Sequence, residues 1–240
     1  MRSFTSFILF LLAHVAVADV YHDAVDDAGR PNSDREQDDR RKPAEVMAFS
    51  GVSPGDIVIE IGAGKGYSTE LASRICGSKG KVYAAGLDPA RIIGNRLSNV
   101  VALESGTEDP YEILSGAGLD RGSVDRVLAF FSLHDYYPGD EAEIHRTYQA
   151  LFDFLKPGGE FIVFDNSAPE GSGLEYVEEL HRIDPLFLKN ELLDAGFELV
   201  SESDVLRNPD DDLLSNWWED TETRKARYQD RFGYKFRKPR

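Results

Sequence analysis

The sequence has little cysteine, little positive charge and few long apolar runs. One of its 240 residues is a cysteine, Cys76, so the chain has no internal disulfide and its cysteine content does not indicate a redox compartment. It has 27 lysines and arginines against 43 acids, a net charge of −16, which would repel a polyanion. Nucleic acid is therefore not an expected partner. Because 41% of the residues are hydrophobic, the chain can form a core, which excludes global disorder.

The one long apolar run lies at the start of the chain, over Phe4–Ala18, and is too short to span a bilayer comfortably. Arg2 precedes it, and Ala16-Val17-Ala18 has the small-x-small pattern after which signal peptidases cut. Acids follow at once, unlike in the acid-poor transit peptides of organelles. We therefore expect a signal peptide over residues 1–18, cleavage near Ala18–Asp19, and an exported protein, periplasmic or secreted, with no stable membrane association after cleavage.

The remaining chain divides into two parts. Residues 19–42 carry eight acids and five bases with hardly an apolar cluster, so we expect a flexible polar leader. From Pro43 the sequence alternates short apolar runs with helical periodicity, which predicts one doubly wound, parallel α/β domain over residues 43–240. The expected strands are 56–62, 81–86, 100–104, 124–131, 160–165, 197–201 and 232–237, and the expected helices are 68–76, 89–97, 140–155 and 184–195.

A glycine-rich turn follows the first expected strand, in Val58-Ile-Glu60-Ile-Gly62-Ala-Gly64-Lys-Gly66. Glycine is needed where the backbone bends tightly or where a ligand contacts the main chain, so we expect a cofactor site at the carboxyl end of this strand. The spacing does not fit G-x-G-x-x-G, because position 67 is Tyr. It does not fit a P-loop either, because the first glycine of that motif would fall on Ile59.

The turn resembles the E/D-x-G-x-G-x-G motif of class I S-adenosylmethionine-dependent methyltransferases, with Glu60, Gly62, Gly64 and Gly66 at its four positions. The resemblance covers Pro43 to about Ser201 and implies a Rossmann-like, mostly parallel seven-stranded sheet with an antiparallel last strand. A narrower resemblance, to a group of predicted, often exported methyltransferases without an established substrate, rests on His134-Asp135, Leu180–Pro185, Ala195–Phe197, Glu202–Pro209 and Phe236–Pro239.

This resemblance implies S-adenosylmethionine as the cofactor. The glycine turn would face the methionine part of the cofactor, and Glu60 would reach its amino group directly or through water. The superfamily expects an acid at the end of the second strand for the ribose hydroxyls, but this chain has Gly86 there. Asp88 either takes that role or only caps the following helix. The loop 104–109 would contact the adenine.

Polar residues follow the fourth and fifth strands, where a doubly wound sheet binds its ligands. His134 is the expected general base because its ordinary pKa lies near neutral pH, and Asp135 would orient it or act alone. Alternatively, both residues only bond loop backbone. Asp165 would also face the acceptor, and His181 would close over it or have only a structural role beside the next helix.

A divalent metal is an alternative for this region. Asp135, Asp165 and Asn166 are similar to the Asp…Asp-Asn arrangement of metal-dependent catechol-type O-methyltransferases. Ligands that are all oxygen suit a hard ion such as Mg²⁺ or Ca²⁺. The rest of the chain does not follow that subfamily, so a metal is not the favoured expectation.

Together these features predict an enzyme that transfers a methyl group from S-adenosylmethionine to a small-molecule acceptor. Two alternatives stay open. One is a protein that binds S-adenosyl ligands without catalysis, because the cofactor is made inside cells and because Gly86 replaces the expected acid. The other is an NAD-type oxidoreductase, against which Tyr67 argues. Trp217 and Trp218 are expected to anchor a loop to the core rather than to form a lid.

Overall fold

The computed structural model describes residues 20–103, 109–138, 141–216 and 229–240. Three predictions lie outside these residues: the signal peptide over 1–18, most of the adenine loop, and the anchoring role of Trp217 and Trp218. Among the helices of the described residues, none combines the length and apolar character needed to cross a bilayer.

A seven-stranded sheet forms the centre of the domain, with the strand order β3-β2-β1-β4-β5-β7-β6. Strands β1 to β5 are parallel to one another, whereas β7 is antiparallel to both β5 and β6. This confirms the predicted doubly wound, mostly parallel sheet with an antiparallel last strand. The strands are β1 Ile57–Ile61, β2 Lys81–Ala85, β3 Val100–Leu103, β4 Val124–Phe130, β5 Leu155–Asn166, β6 Glu198–Ser203 and β7 Arg231–Arg237.

Helices precede and connect the strands. The described part of α1 covers residues 20–26. The others are α2 Asn32–Arg35, α3 Asp38–Arg41, α4 Pro43–Ser50, α5 Tyr67–Cys76, α6 Pro110–Gly116, α7 Glu141–Phe154, α8 Val177–Leu180 and α9 Pro185–Asp194. The helix expected over 89–97 is instead a 3₁₀ segment, Pro89–Asn95, because Ile93 is extended and Gly94 is left-handed.

The sheet separates two apolar cores, one on each face. Strand β4 shows the alternation, since Val127 and Ala129 enter one core and Leu128 and Phe130 enter the other. Helices α7 and α9 pack into the first core, and α4 and α5 pack into the second. Burial on both faces explains why these strands are continuous apolar runs in the sequence.

Residues 20–42, which we call the N-terminal arm, pack against the domain, in contrast to the flexible leader expected from the sequence. Tyr21 is buried in the second core and donates a hydrogen bond from its hydroxyl to the Val52 carbonyl over 3.1 Å. Asp34 pairs with Arg91 of the domain at 2.8 Å. Several of the charges that indicated a solvated segment therefore have partners that the composition alone does not reveal.

Candidate functional site

The glycine turn, residues 62–66, joins the carboxyl end of β1 to α5. Gly62, Gly64 and Gly66 have φ angles of +66°, +53° and +75°, in the left-handed region that favours glycine. A Cβ on Gly62 would lie 2.2 Å from the Ser132 Cβ, and one on Gly66 would lie 2.7 Å from the Leu87 Cδ1. For Gly64 the nearest such atom is a backbone oxygen at 3.9 Å. Protein packing thus requires glycine at 62 and 66, whereas Gly64 faces open space.

A cavity of about 390 Å³ opens beside this turn, a volume within the usual range of small-molecule sites. It lies next to the neighbouring strands β1 and β4, where the order of the sheet reverses and doubly wound folds bind their ligands. We call it the glycine-turn cavity. Its lining comes from the turn and the start of α5, the end of β4, the N-terminal arm and one residue after β2: Gly62–Lys65, Tyr67, Ser68, Phe130, Phe131, Ser33, Asp34, Gln37, Arg41 and Arg91.

A network of buried charges holds the N-terminal arm against this cavity. Arg91 contacts Asp34 of the arm and Glu70 of α5, both at 2.8 Å. The fully buried Glu70 also pairs with Arg74 and Arg96. Burial alone would raise the pKa of Glu70, but hydrogen bonds from the three arginines outweigh it and lower the pKa to about 2. One ionised carboxylate therefore connects the arm, α5 and the segment after β2.

Glu60, the acidic position of the motif, is buried beneath the turn. Its carboxylate accepts hydrogen bonds from the hydroxyls of Ser68 and Thr69, the latter at 2.5 Å. Burial raises the pKa of Glu60 to about 7, and these hydroxyls only partly offset it. Ser68 lies between the carboxylate and the cavity, since it contacts Glu60 and also lines the cavity. The contact of Glu60 with the amino group of the cofactor stays a prediction.

Asp88 caps the 3₁₀ segment, because its Oδ1 accepts a hydrogen bond from the Ala90 amide over 2.9 Å. Its own amide donates to the Gly64 carbonyl over 2.7 Å, which ties the end of β2 to the glycine turn. The side chain is exposed and is not part of the cavity lining. The structure therefore shows that Asp88 caps this segment, and a contact of Asp88 with ribose in place of an acid at Gly86 stays a prediction.

The four predicted catalytic residues, His134, Asp135, Asp165 and His181, come together at the carboxyl ends of β4 and β5; we call them the His–Asp cluster. His134 is 3% exposed, and its Nδ1 lies 2.6 Å from Asp165 Oδ1. Its Nε2 lies 3.3 Å from Asp135 Oδ1. The same Asp135 oxygen lies 2.9 Å from His181 Nδ1. The cluster is thus a continuous row of alternating carboxylates and imidazoles.

The backbone fixes both ends of this row. The buried Asp165 also accepts hydrogen bonds from the amides of His134, at 3.1 Å, and Asn166, at 2.8 Å. His181 follows α8 in a left-handed conformation, and its carbonyl accepts a hydrogen bond from Asn166 Nδ2 over 3.0 Å. Asp135 and His181 are 55% and 45% exposed at their side chains, so the row runs from the protein interior to its surface.

The protonation of His134 follows from its neighbours. Burial would lower the pKa of this imidazole, but the nearby Asp165 and Asp135 outweigh burial and raise the pKa to about 10. Near neutral pH both ring nitrogens then carry protons that point at carboxylates. His134 must lose one of these protons before it can act as a general base, and that role stays a prediction.

The all-oxygen metal set, the alternative that the sequence left open, has oxygens that are already engaged within the protein. Both Asp165 oxygens accept hydrogen bonds within the protein, and Asn166 Oδ1 accepts one from Arg231 Nε over 3.2 Å. Within the described parts of the chain, the group with metal-ligand spacing is His134, Asp135 and His181.

The sequence did not reveal the contribution of the N-terminal arm to the cavity. Arg41 stacks between two aromatic rings that line the cavity, with its guanidinium carbon 4.5 Å from the centre of Tyr67 and 5.7 Å from that of Phe131. The available signal was the run of bases Arg40-Arg41-Lys42 in an otherwise acidic segment.

Comparison with known proteins agrees with this geometry, although no family model matches the sequence. The chain is 26% identical over 200 residues to the ubiquinone/menaquinone biosynthesis C-methyltransferase UbiE of Teredinibacter turnerae, covering 78% of this chain and 75% of that protein. It is 22% identical over 193 residues to the protein of the same name from Pseudoalteromonas translucida, covering 79% and 74%.

Solved structures share the fold. A SAM-dependent methyltransferase from Aquifex aeolicus has a TM-score of 0.58 at 20% identity and covers 87% of this chain and 98% of its own. Geranyl diphosphate C-methyltransferase from Streptomyces coelicolor has a TM-score of 0.60 at 16% identity, covering 90% and 87%. In its glycine motif, its sheet order and its sequence, the chain is thus similar to class I S-adenosylmethionine-dependent methyltransferases.

Proposed function

We propose that the protein is an enzyme that transfers the methyl group of S-adenosylmethionine to a small-molecule acceptor. The observation that carries this proposal is the glycine-turn cavity, which lies at the ligand-binding edge of a methyltransferase fold and leaves Gly64 open to a ligand. In the reaction a nucleophilic atom of the acceptor bonds to the methyl carbon as the carbon–sulfur bond breaks. S-adenosylhomocysteine leaves, and an acceptor proton is lost. The site contributes mainly by holding the two molecules in line.

The His–Asp cluster is our proposed acceptor side of the site. It adjoins the glycine turn through Ser132, which lies two residues before His134 and donates a hydrogen bond to the Ile61 carbonyl over 3.0 Å. The half-exposed Asp135 and His181 offer polar groups to an acceptor. The names of the two relatives and of the Streptomyces coelicolor enzyme specify carbon methylation, so carbon acceptors are the first class to screen.

The experiment that tests the proposal is calorimetric titration of the chain beginning at Asp19 with S-adenosylmethionine and with S-adenosylhomocysteine. We expect micromolar binding of one ligand per chain. Gly64→Val should abolish it, because the new side chain would project into the open space beside the turn. Gly122→Val is the matched control, since Gly122 also has a left-handed φ of +70° and no atom within 4 Å of an added Cβ. Absence of binding by the unmodified chain would contradict the proposal.

A second candidate function, binding of S-adenosyl ligands without catalysis, is supported by the two acids of the predicted cofactor site. Glu60 is engaged by Ser68 and Thr69, and Asp88 by the Ala90 amide. Screening acceptors with labelled cofactor separates the two functions. Binding without label transfer to any acceptor class would favour the second.

We also propose that the protein acts outside the cytoplasm after removal of residues 1–18. Arg2, the apolar run and the Ala16-Val17-Ala18 pattern support this proposal. Amino-terminal sequencing of the natural protein should give Asp19 as the first residue. An intact Met1 on protein from the cytosol would contradict export.

A further inference from the structure

We propose that His134, Asp135 and His181 bind a divalent first-row transition metal ion such as Zn²⁺. The ligand atoms are His134 Nε2, one Asp135 carboxylate oxygen and His181 Nδ1. This set differs from the all-oxygen set that the sequence pointed to, and it includes a histidine that lies 46 residues after Asp135 in the chain.

The spacing of the three atoms fits one ion. Ligands about 2.0–2.2 Å from a metal in tetrahedral geometry lie roughly 3.4 Å from one another. The Asp135 oxygen lies 3.3 Å from His134 Nε2 and 2.9 Å from His181 Nδ1, and all three atoms lie within 4.8 Å of one another.

Asp165 supplies an independent observation in favour of a metal. A histidine that binds a metal through one ring nitrogen usually donates its other N–H to a carboxylate, which fixes the tautomer and the ring orientation. Asp165 Oδ1 lies 2.6 Å from His134 Nδ1, the nitrogen that faces away from the proposed ion. Asp165 is itself held by two backbone amides and is fully buried. The His134 ring is therefore already oriented with Nε2 towards Asp135 and His181.

The donor set also selects the kind of ion. Two imidazole nitrogens and one carboxylate suit zinc, iron, manganese or cobalt, whereas magnesium and calcium prefer oxygen ligands. Three protein ligands leave at least one coordination position open, and two of the ligating residues are half-exposed. The open position would take an oxygen of the acceptor and favour its ionised form. This last role rests on the proposed methyl transfer, but the metal site does not.

The test is metal binding by the chain from Asp19 onward, stripped with chelator and dialysed against Zn²⁺, with the absorption of a Co²⁺-substituted sample as a second readout. We expect one ion per chain and visible Co²⁺ bands typical of mixed nitrogen and oxygen ligands. Asp135→Asn and His181→Asn should each weaken Zn²⁺ binding at least tenfold. Asn is chosen at 181 because it tolerates the left-handed backbone there. Asp165→Asn should weaken binding about tenfold through His134.

The matched control is His145→Ala, which removes another histidine paired with a carboxylate, Glu191 at 2.8 Å, on the surface of the domain. It should leave Zn²⁺ affinity unchanged. Thermal unfolding and S-adenosylhomocysteine binding of each variant verify that the domain is folded. Failure of the unmodified chain to take up Zn²⁺ or Co²⁺, or equal affinity in all variants, would overturn the metal site. Loss of cofactor binding with intact metal uptake would instead overturn only the proposed methyl transfer.

Discussion

The glycine-turn cavity and the His–Asp cluster are neighbouring regions at the carboxyl ends of the strands, but the chain builds them in different ways. The turn consists of five consecutive residues, 62–66, and acts through its backbone conformation. The cluster combines side chains from three separate segments around one buried carboxylate, Asp165. A backbone site is fixed by local sequence, whereas a side-chain site depends on the strand order that brings distant residues together. The two should therefore respond to substitution independently.

The largest effect is expected at Glu70, which holds the N-terminal arm beside the cavity. Glu70→Gln leaves three arginines without their buried anion, and breaking such a network costs about 3–5 kcal/mol of unfolding free energy. Chemical denaturation measures the loss. Glu191→Gln, at the exposed pair with His145, is the control and should change stability by less than about 1 kcal/mol.

The pH dependence of that loss has a definite sign. Because the pKa of Glu70 is lowered to about 2 in the folded protein, its contribution is fully present above its ordinary pKa of 4.5 and disappears as the pH falls towards 2. The stability difference between the unmodified chain and Glu70→Gln should therefore shrink on acidification. A difference that is constant from pH 7 to pH 3 would contradict this account.

Next in size is the contrast between two glycines of the turn. Gly62→Ala adds a Cβ that collides with Ser132, so it should cost more than the roughly 1–2 kcal/mol of left-handed strain expected at Gly64→Ala. Removing the opposing side chain with Ser132→Gly should recover part of the loss in the double variant. Additive losses measured by denaturation would mean that the two positions do not collide.

A smaller effect concerns the pH dependence of cofactor affinity. Burial raises the pKa of Glu60 to about 7, and an ammonium group placed near it would favour the ionised carboxylate. Affinity for S-adenosylmethionine should then fall about tenfold between pH 8 and pH 6, and less in Glu60→Gln.

The raised pKa of Glu60 gives the opposite trend for the stability of the protein without ligand. The contribution of Glu60 to the free energy of unfolding is greatest below its ordinary pKa of 4.5 and declines as the pH rises through 7. Calorimetry at several pH values, with denaturation in parallel, separates the two.

The smallest change, in cofactor affinity, is expected for a substitution in the His–Asp cluster. His134→Ala should leave cofactor affinity within about threefold while it removes turnover, because His134 lies in the cluster and not in the cavity lining. Equal losses of affinity in His134→Ala and Gly64→Val would show that the cluster supports the cavity and that the two regions are not independent.

Much of the fold could be predicted from the sequence, because buried strands and glycine stops have strong local patterns. All seven strands are present, including β7, and the glycine turn lies where the motif indicates. The N-terminal arm could not be predicted, since its order depends on ion pairs such as Asp34–Arg91 that join residues 57 positions apart. In the cluster the residues were predictable, but the pairing of His134 with Asp165 depends on the β4–β5 register.

The position of β7 in the sheet has a consequence for how the protein folds. Residues 231–237 form an inner strand between β5 and β6, and Glu160 pairs with Arg237 across 77 positions of sequence. Contacts over such separations form slowly. One edge of β5 stays unpaired until residues 231–237 join it. Asp165 pairs with Phe232 on that edge, so the carboxylate that orients His134 gains its lasting surroundings only when β7 joins the sheet.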